Sequence, residues 1–164
     1  MTNKNLKLKK NIVMKPLFIL LTVLSSMFTT ATFAADGKVS PEVLESFNST
    51  FANAKEVDWT VSDKFYKAQF ALDGQYVTAF YNIDGEMMAI TRNISSRQLP
   101  LTLQTSLKKD YNNYWITDLF EAVTNGTGTY YITLQNADVE VILKSDEFGG
   151  WETFKKSKRS LYIS

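Results

Sequence analysis

Residues able to do covalent or acid–base chemistry are scarce in this 164-residue chain, which contains no histidine and no cysteine. The commonest general base, the commonest metal ligand and the best neutral-pH nucleophile are therefore missing. Without thiols there is also no disulfide, no thiolate zinc site and no cysteine behind a leader to carry a lipid. What remains is a carboxylate pair, a Ser/Lys dyad or a calcium site. Asp73 and Asp84 each precede a glycine, and Asp-Gly favours the positive backbone angles of tight hairpin turns, which explains both residues without catalysis. Asp138, Glu140, Asp146 and Glu147 gather four acids but lack the Asp-x-Asp-x-Asp-Gly order of a calcium loop. The chain reads as a non-enzyme with no catalytic residue, no metal site and no cofactor. A carboxylate-dependent hydrolase is the distant alternative.

Binding chemistry then depends on which elements present the aromatic side chains. Ser40-Pro41-Glu42 has the signature of a helix start: a hydroxyl cap, proline in the first turn and an acid at the positive dipole end. Val43, Leu44, Phe47, Phe51 and Ala54 follow at helical spacing. Strand-like runs come next at 57–61, 65–72, 76–83 and 86–94, with Asp73-Gly74 and Asp84-Gly85 between them. Leu99-Pro100 opens a second helical stretch, and strand-like runs return at 115–124, 129–135, 139–144 and 151–154. The expected fold is α+β, with two tandem helix-plus-four-strand repeats, about 40–94 and 98–158. These form one antiparallel sheet with both helices on one face.

Two-residue turns at Asp73-Gly74 and Asp84-Gly85 would pair Leu72 with Gln75, Phe70 with Val77, Ala68 with Ala79 and Tyr81 with Met88. One face then carries Val57, Trp59, Val61, Tyr66, Ala68, Phe70, Leu72, Val77, Ala79, Tyr81, Met88 and Ile90 as core. The opposite face carries Lys67, Gln69, Tyr76, Thr78, Phe80, Met87 and Thr91, and in the second repeat Tyr131, Thr133, Glu140 and Ile142. An uncovered sheet face should be polar, so Tyr76, Phe80 and Met87 form an apolar island on it. Tyr76, Phe80, Met87, Lys67, Tyr131 and Ile142 are accordingly the candidate partner-binding residues.

The first 15 residues hold five lysines and no acid, an apolar run covers 17–28, and Thr32-Phe33-Ala34-Ala35 supplies small residues for cleavage after Ala34. Residues 1–34 read as a signal peptide and 35–164 as the mature domain, periplasmic or secreted. An uncleaved anchor over 17–35 is the alternative, diluted by its Thr and Ser content. Removing the leader leaves thirteen basic against seventeen acidic residues, a net charge of minus four. That is no footprint for nucleic acid or an anionic membrane. The cluster Lys155, Lys156, Lys158 and Arg159 reads as a solvated last strand.

Phe51-x-x-Ala54-x-x-Val57-x-Trp59, Tyr66-x-Ala68-x-Phe70, Ala79-x-Tyr81-x-x-Asp84-Gly85, Leu99-Pro100 and Tyr111-x-x-Tyr114-x-Ile116 together resemble the PepSY-like, β-lactamase-inhibitor-like periplasmic proteins of Bacteroidota. Members often carry Pro where this chain has Asn53. The resemblance implies two helix-plus-four-strand repeats, export, and a sheet that in the inhibitor protein grips its target with the concave face. The shared motif consists of core positions, so no inhibitory residue carries over. The expected function is an exported, non-catalytic module that engages a protein or peptide, as an inhibitor or envelope sensor, through the uncovered sheet face. The alternative is a small-ligand or glycan binder using a cleft between the repeats.

Overall fold

The computed structural model describes residues 38–146 and 148–159; the leader expected at 1–34 lies outside them. Helix α1 (Pro41–Thr50) begins where the capping residues place it, with the Ser40 hydroxyl accepting from the Val43 amide at 3.3 Å. Its end is closed by the Phe51 amide, which donates to the Phe47 carbonyl at 2.8 Å. Four strands follow: β1 (Lys55–Val61), β2 (Tyr66–Leu72), β3 (Gln75–Tyr81) and β4 (Met87–Asn93). A 3₁₀ turn (Ser96–Gln98) leads into helix α2 (Leu101–Asp110) and then β5 (Trp115–Thr124), β6 (Thr127–Gln135), β7 (Val139–Ser145) and β8 (Trp151–Lys158). The eight strands form one antiparallel sheet in chain order.

Two hydrophobic clusters hold the helices. Val43, Phe47 and Phe51 pack with Ala68, Phe70, Val77, Ala79 and Tyr81, with Trp59, Tyr66, Leu72 and Ile90 at the margin. The rings interlock: Phe47 lies 5.0 Å edge-on to Phe70 and Phe51 lies 4.7 Å from it. Such tilted aromatic pairs add to plain area burial. Leu99 and Leu103 pack with Leu119, Ile132, Leu134, Val141 and Leu143, and the Trp151 indole donates to the Leu103 carbonyl at 3.0 Å.

The Asp73-Gly74 turn is the tight two-residue turn its sequence implies, with φ of 49° and 80°, and Leu72 pairs with Gln75 as expected. The Asp84-Gly85 turn differs. Gly85 N–H bonds the Asn82 carbonyl and Asn82 N–H bonds the Glu86 carbonyl, so the loop holds three residues, Ile83, Asp84 and Gly85. The Asn82 side-chain oxygen accepts from the amides of Asp84 and Glu86 and stabilises the wider loop. A bulge next to the loop pairs Tyr81 with Met87 rather than Met88, and the expected register resumes at Phe80–Ala89. On β1 another bulge, between Lys55 and Asp58, leaves Val57 exposed rather than in the core.

Asp146, Phe148, Gly149 and Gly150 repeat the same loop hydrogen bonds between β7 and β8. In each loop the positive-φ glycine approaches a helix start. A Cβ on Gly85 would lie 3.1 Å from the Glu42 backbone, and one on Gly149 would lie 3.0 Å from the Thr102 hydroxyl.

β4 and β5 share four residue pairs, from Ile90–Val123 to Asn93–Phe120. Beside this short ladder Arg92 donates to Glu121 at 2.7 Å and to Gln75 at 3.2 Å, linking β3, β4 and β5.

Candidate functional site

Cross-strand register assembles the face away from α1 in rows. Lys67, Phe80 and Ala89 form one, and Gln69, Thr78, Thr91, Ala122 and Thr129 the next. Asn93, Phe120, Tyr131, Lys144 and Glu152 form a third, and Asp118, Thr133, Ile142 and Lys155 a fourth. Alternation along β2 and β3 puts Ala68, Phe70 and Ala79, the partners of α1, on the opposite side.

Among the six residues the sequence singles out, the face divides them by exposure. Tyr76 is 73% exposed and stands open on this face; Met87 is 42% exposed, but the bulge sets it opposite Tyr81, a residue of the α1 core, and outside the rows of this face. Phe80 and Tyr131 do not stand open: they are 1% and 2% exposed. Their burial comes from side chains of the sheet itself. Phe80 is flanked across the strands by Lys67 and Ala89, with the Phe65 ring 6.4 Å away. Tyr131 stacks on Phe120 at 5.2 Å and 13°, and Phe154 stands edge-on at 6.2 Å. Neighbours on adjacent strands lie about 5 Å apart, close enough for aromatic rings to cover one another without a helix above them. Lys67 and Ile142 are half-buried.

The six residues do not form one patch. Lys67, Tyr76 and Phe80 lie on β2 and β3, Met87 at the start of β4, Tyr131 and Ile142 on β6 and β7, and β3 and β6 are about 14 Å apart at the usual strand spacing. The small, polar row of Thr78, Thr91, Ala122 and Thr129 runs across the strands, with Phe80 on one side of it and Tyr76, Phe120 and Tyr131 on the other. The face is thus a Phe65–Phe80 pair and a Phe120–Tyr131–Phe154 cluster on either side of a low threonine strip, with Tyr76 apart from both.

Phe65, Phe120 and Phe154 belong to this face and were missed from the sequence. A signal existed for Phe120: Asn125-Gly126 forms a two-residue turn with φ of 51° and 77°, and that register pairs Phe120 with Tyr131. Phe154 had no such signal, because a bulge between Ile142 and Leu143 displaces β8.

Ionisation on and around the face follows burial and neighbours. Burial raises the Tyr131 phenol, with Glu152 adding to the effect. Tyr76 is raised by its 2.9 Å hydrogen bond to Glu56 and by that carboxylate's charge. Burial raises the Asp118 carboxyl, partly offset by a hydrogen bond from the Leu119 amide. Among the described residues no three acidic side chains gather as a metal-binding group, and no helix is long and apolar enough to cross a membrane.

Solved structures share this fold. A BLIP-like protein from Bacteroides fragilis superposes with a TM-score of 0.66 at 18% identity, covering 79% of this chain and 95% of that one. A DUF2874 family protein from Bacteroides ovatus gives 0.64 at 20% identity over 74% and 89%. A provisionally periplasmic protein from Bacteroides eggerthii gives 0.65 at 10% identity over 74% and 90%. The chain has the fold of these Bacteroides proteins. No family model and no curated relative matches it.

Proposed function

We propose that this chain is a non-catalytic binding module of the periplasm or cell exterior that engages a protein or peptide through the helix-free sheet face. The observation that carries the reading is the aromatic content of that face: Phe120, Tyr131 and Phe154 pack together, and Phe154 and Tyr76 remain exposed. Rings already locked by their neighbours lose little entropy on contact, which suits an interface anchor. The shared fold with a BLIP-like protein and a provisionally periplasmic protein supports the same class and location. A PepSY-like relationship remains part of this reading.

The two halves, in the same reading, are copies whose helices cover one face. Register supports this, since Ala79–Ile90–Val123 is one continuous row, and Leu119, Ile132 and Leu134 alternate with Phe120, Tyr131 and Thr133. The recurring loop at Asn82 and Asp146 and the helix-end residues Phe51 and Tyr111, each bonded to a carbonyl four residues back, support it further. The partner surface is then the residues left open, Tyr76 and Phe154 with Met87 at the start of β4, and Tyr131 holds the Phe154 ring edge-on.

The purified protein, immobilised and exposed to envelope extract, should retain a partner that the Tyr76→Ser/Met87→Gln/Phe154→Thr variant fails to retain while folding normally. Equal capture by the variant would place the binding surface elsewhere.

A further inference from the structure

A further feature, at the margin of that face and sharing Asn93 and Asp118 with its third and fourth rows, lies where β4 and β5 part. Their ladder stops at Asn93–Phe120, Ile94 N–H makes a last bond to the Leu119 carbonyl at 3.1 Å, and the chain turns away into the 3₁₀ turn. The opening stretch of β5 therefore has β6 on one side and no strand on the other. A cavity of about 390 Å³ occupies the gap, lined by Asn93, Ser95, Thr117 and Asp118. Ser96 and Ile116 line this cavity and also a neighbouring one of about 240 Å³, whose wall is Tyr111 and Tyr114 beside Asn112 and Lys108. The two make one groove.

The aromatic end of the groove exists because the second core is filled differently from the first. Around α1, Phe47, Phe51 and Phe70 interlock at 4.7 to 5.4 Å. At the end of α2 the aromatic is kept as Tyr111, but the residue four before it is Leu107 and the sheet residue beneath is Leu134. Two leucines fill less space than two phenylalanines. Tyr111 and Tyr114, edge-to-face at 5.7 Å, then wall an opening instead of closing over a plug.

The groove's chemistry is a ring wall over Leu107 and Leu134 at one end and hydroxyl and amide groups interleaved with Ile94, Ile116 and Leu119 along the rest, with a half-buried carboxyl at the far end. Its two charged groups, Lys108 and Asp118, are of opposite sign, so no net charge is asked of the ligand. An added peptide strand is disfavoured, since the Leu119 carbonyl is taken by Ile94 and its amide by Asp118. We infer that this groove binds a short neutral oligosaccharide, with a sugar ring lying on Tyr111 and Tyr114 and sugar hydroxyls donating to Asp118 and exchanging hydrogen bonds with Asn93, Thr117 and Asn112. Concave sites with an apolar wall and a few convergent polar groups are the usual form of small-ligand pockets, and hydrogen bonds to a carboxylate are stronger than neutral ones.

Affinity electrophoresis of the purified protein through gels holding xylan, mixed-linkage β-glucan, amylopectin or glycol chitin tests the assignment. At least one neutral polysaccharide should retard the protein. The retardation should weaken at least tenfold in Tyr114→Ala and in the isosteric Asp118→Asn, and stay unchanged in Tyr76→Ser, which lies outside the groove. A urea midpoint for each variant distinguishes lost binding from lost folding, and Asp118→Asn keeps the side-chain volume. Equal migration in all four gels, or equal retardation of the wild type and a folded Asp118→Asn, overturns the inference. So does retardation that weakens only with Tyr76→Ser, which would return binding to the aromatic face.

Discussion

Replacing Phe80 by alanine tests whether the face away from α1 is a second core layer or an open surface. The ring is 1% exposed, so its removal forfeits the transfer free energy of a fully buried phenylalanine, about 1.5–3 kcal/mol. Phe→Ala in a core closed on all sides costs about 3–5 kcal/mol because a void remains. Here the covering atoms are the Lys67 stem, Ala89 and Phe65, all surface-chain neighbours of one sheet. Lys67 and Phe65 can relax into the space and water can enter it, so the void contributes less and the expected loss is about 2–3 kcal/mol. With a urea slope of about 1–3 kcal/mol/M, the unfolding midpoint, followed by tryptophan fluorescence, should fall by about 0.7–3 M. Tyr76→Ser on the same strand, with its side chain open, should change stability by less than about 0.5 kcal/mol. A Phe80→Ala midpoint indistinguishable from that of Tyr76→Ser would refute the reasoning and return Phe80 to the contact surface.

Gly85→Ala should cost clearly more than Gly74→Ala in the same titration: both have positive φ, but only at Gly85 would the new Cβ meet backbone, the Glu42 carbonyl at 3.1 Å. Tyr81 is wholly buried and its hydroxyl has no hydrogen-bond partner, so Tyr81→Phe should leave stability unchanged or raise it by up to about 1 kcal/mol in thermal unfolding. The same phenol is pushed up to about 12 by burial. Since its folded value exceeds the unfolded one near 10, its contribution is complete below pH 10 and is lost as pH rises toward 12. Tyr81→Phe should remove that component of the alkaline loss of stability, and an unchanged alkaline slope would contradict it. Ser40→Ala should cost about 1 kcal/mol in urea through loss of the cap on Val43.

Local signals were legible where one short stretch decided the outcome. Ser40-Pro41-Glu42 starts a helix because cap, first-turn proline and dipole acid act within four residues. Asp73-Gly74 sets its register because both residues accept positive φ. The Asp84-Gly85 turn misled, since Asn82, two residues upstream, bonds the amides of Asp84 and Glu86 and widens the loop. A cleft between the repeats was the sequence's alternative site, but the groove's lining was not legible, because it arises from the parting of β4 and β5 and from Leu134, far along the chain, lying beside Leu107 and Tyr111.

The absence of histidine and cysteine, the helix and strand order, and the alternation that separates Ala79 from Phe80 were determined by the sequence alone, because composition and side-chain periodicity are properties of a single segment. Exposure was decided only by the tertiary structure. Alternation puts Tyr76, Phe80 and Tyr131 on strand faces in the same way, yet Phe65 and Ala89 cover one and Phe120 and Phe154 cover another, while Tyr76 reaches outward to Glu56. Which side chain covers which depends on strands brought together across the sheet, and on bulges that shift them by one residue, and neither is encoded in the residues of any one strand.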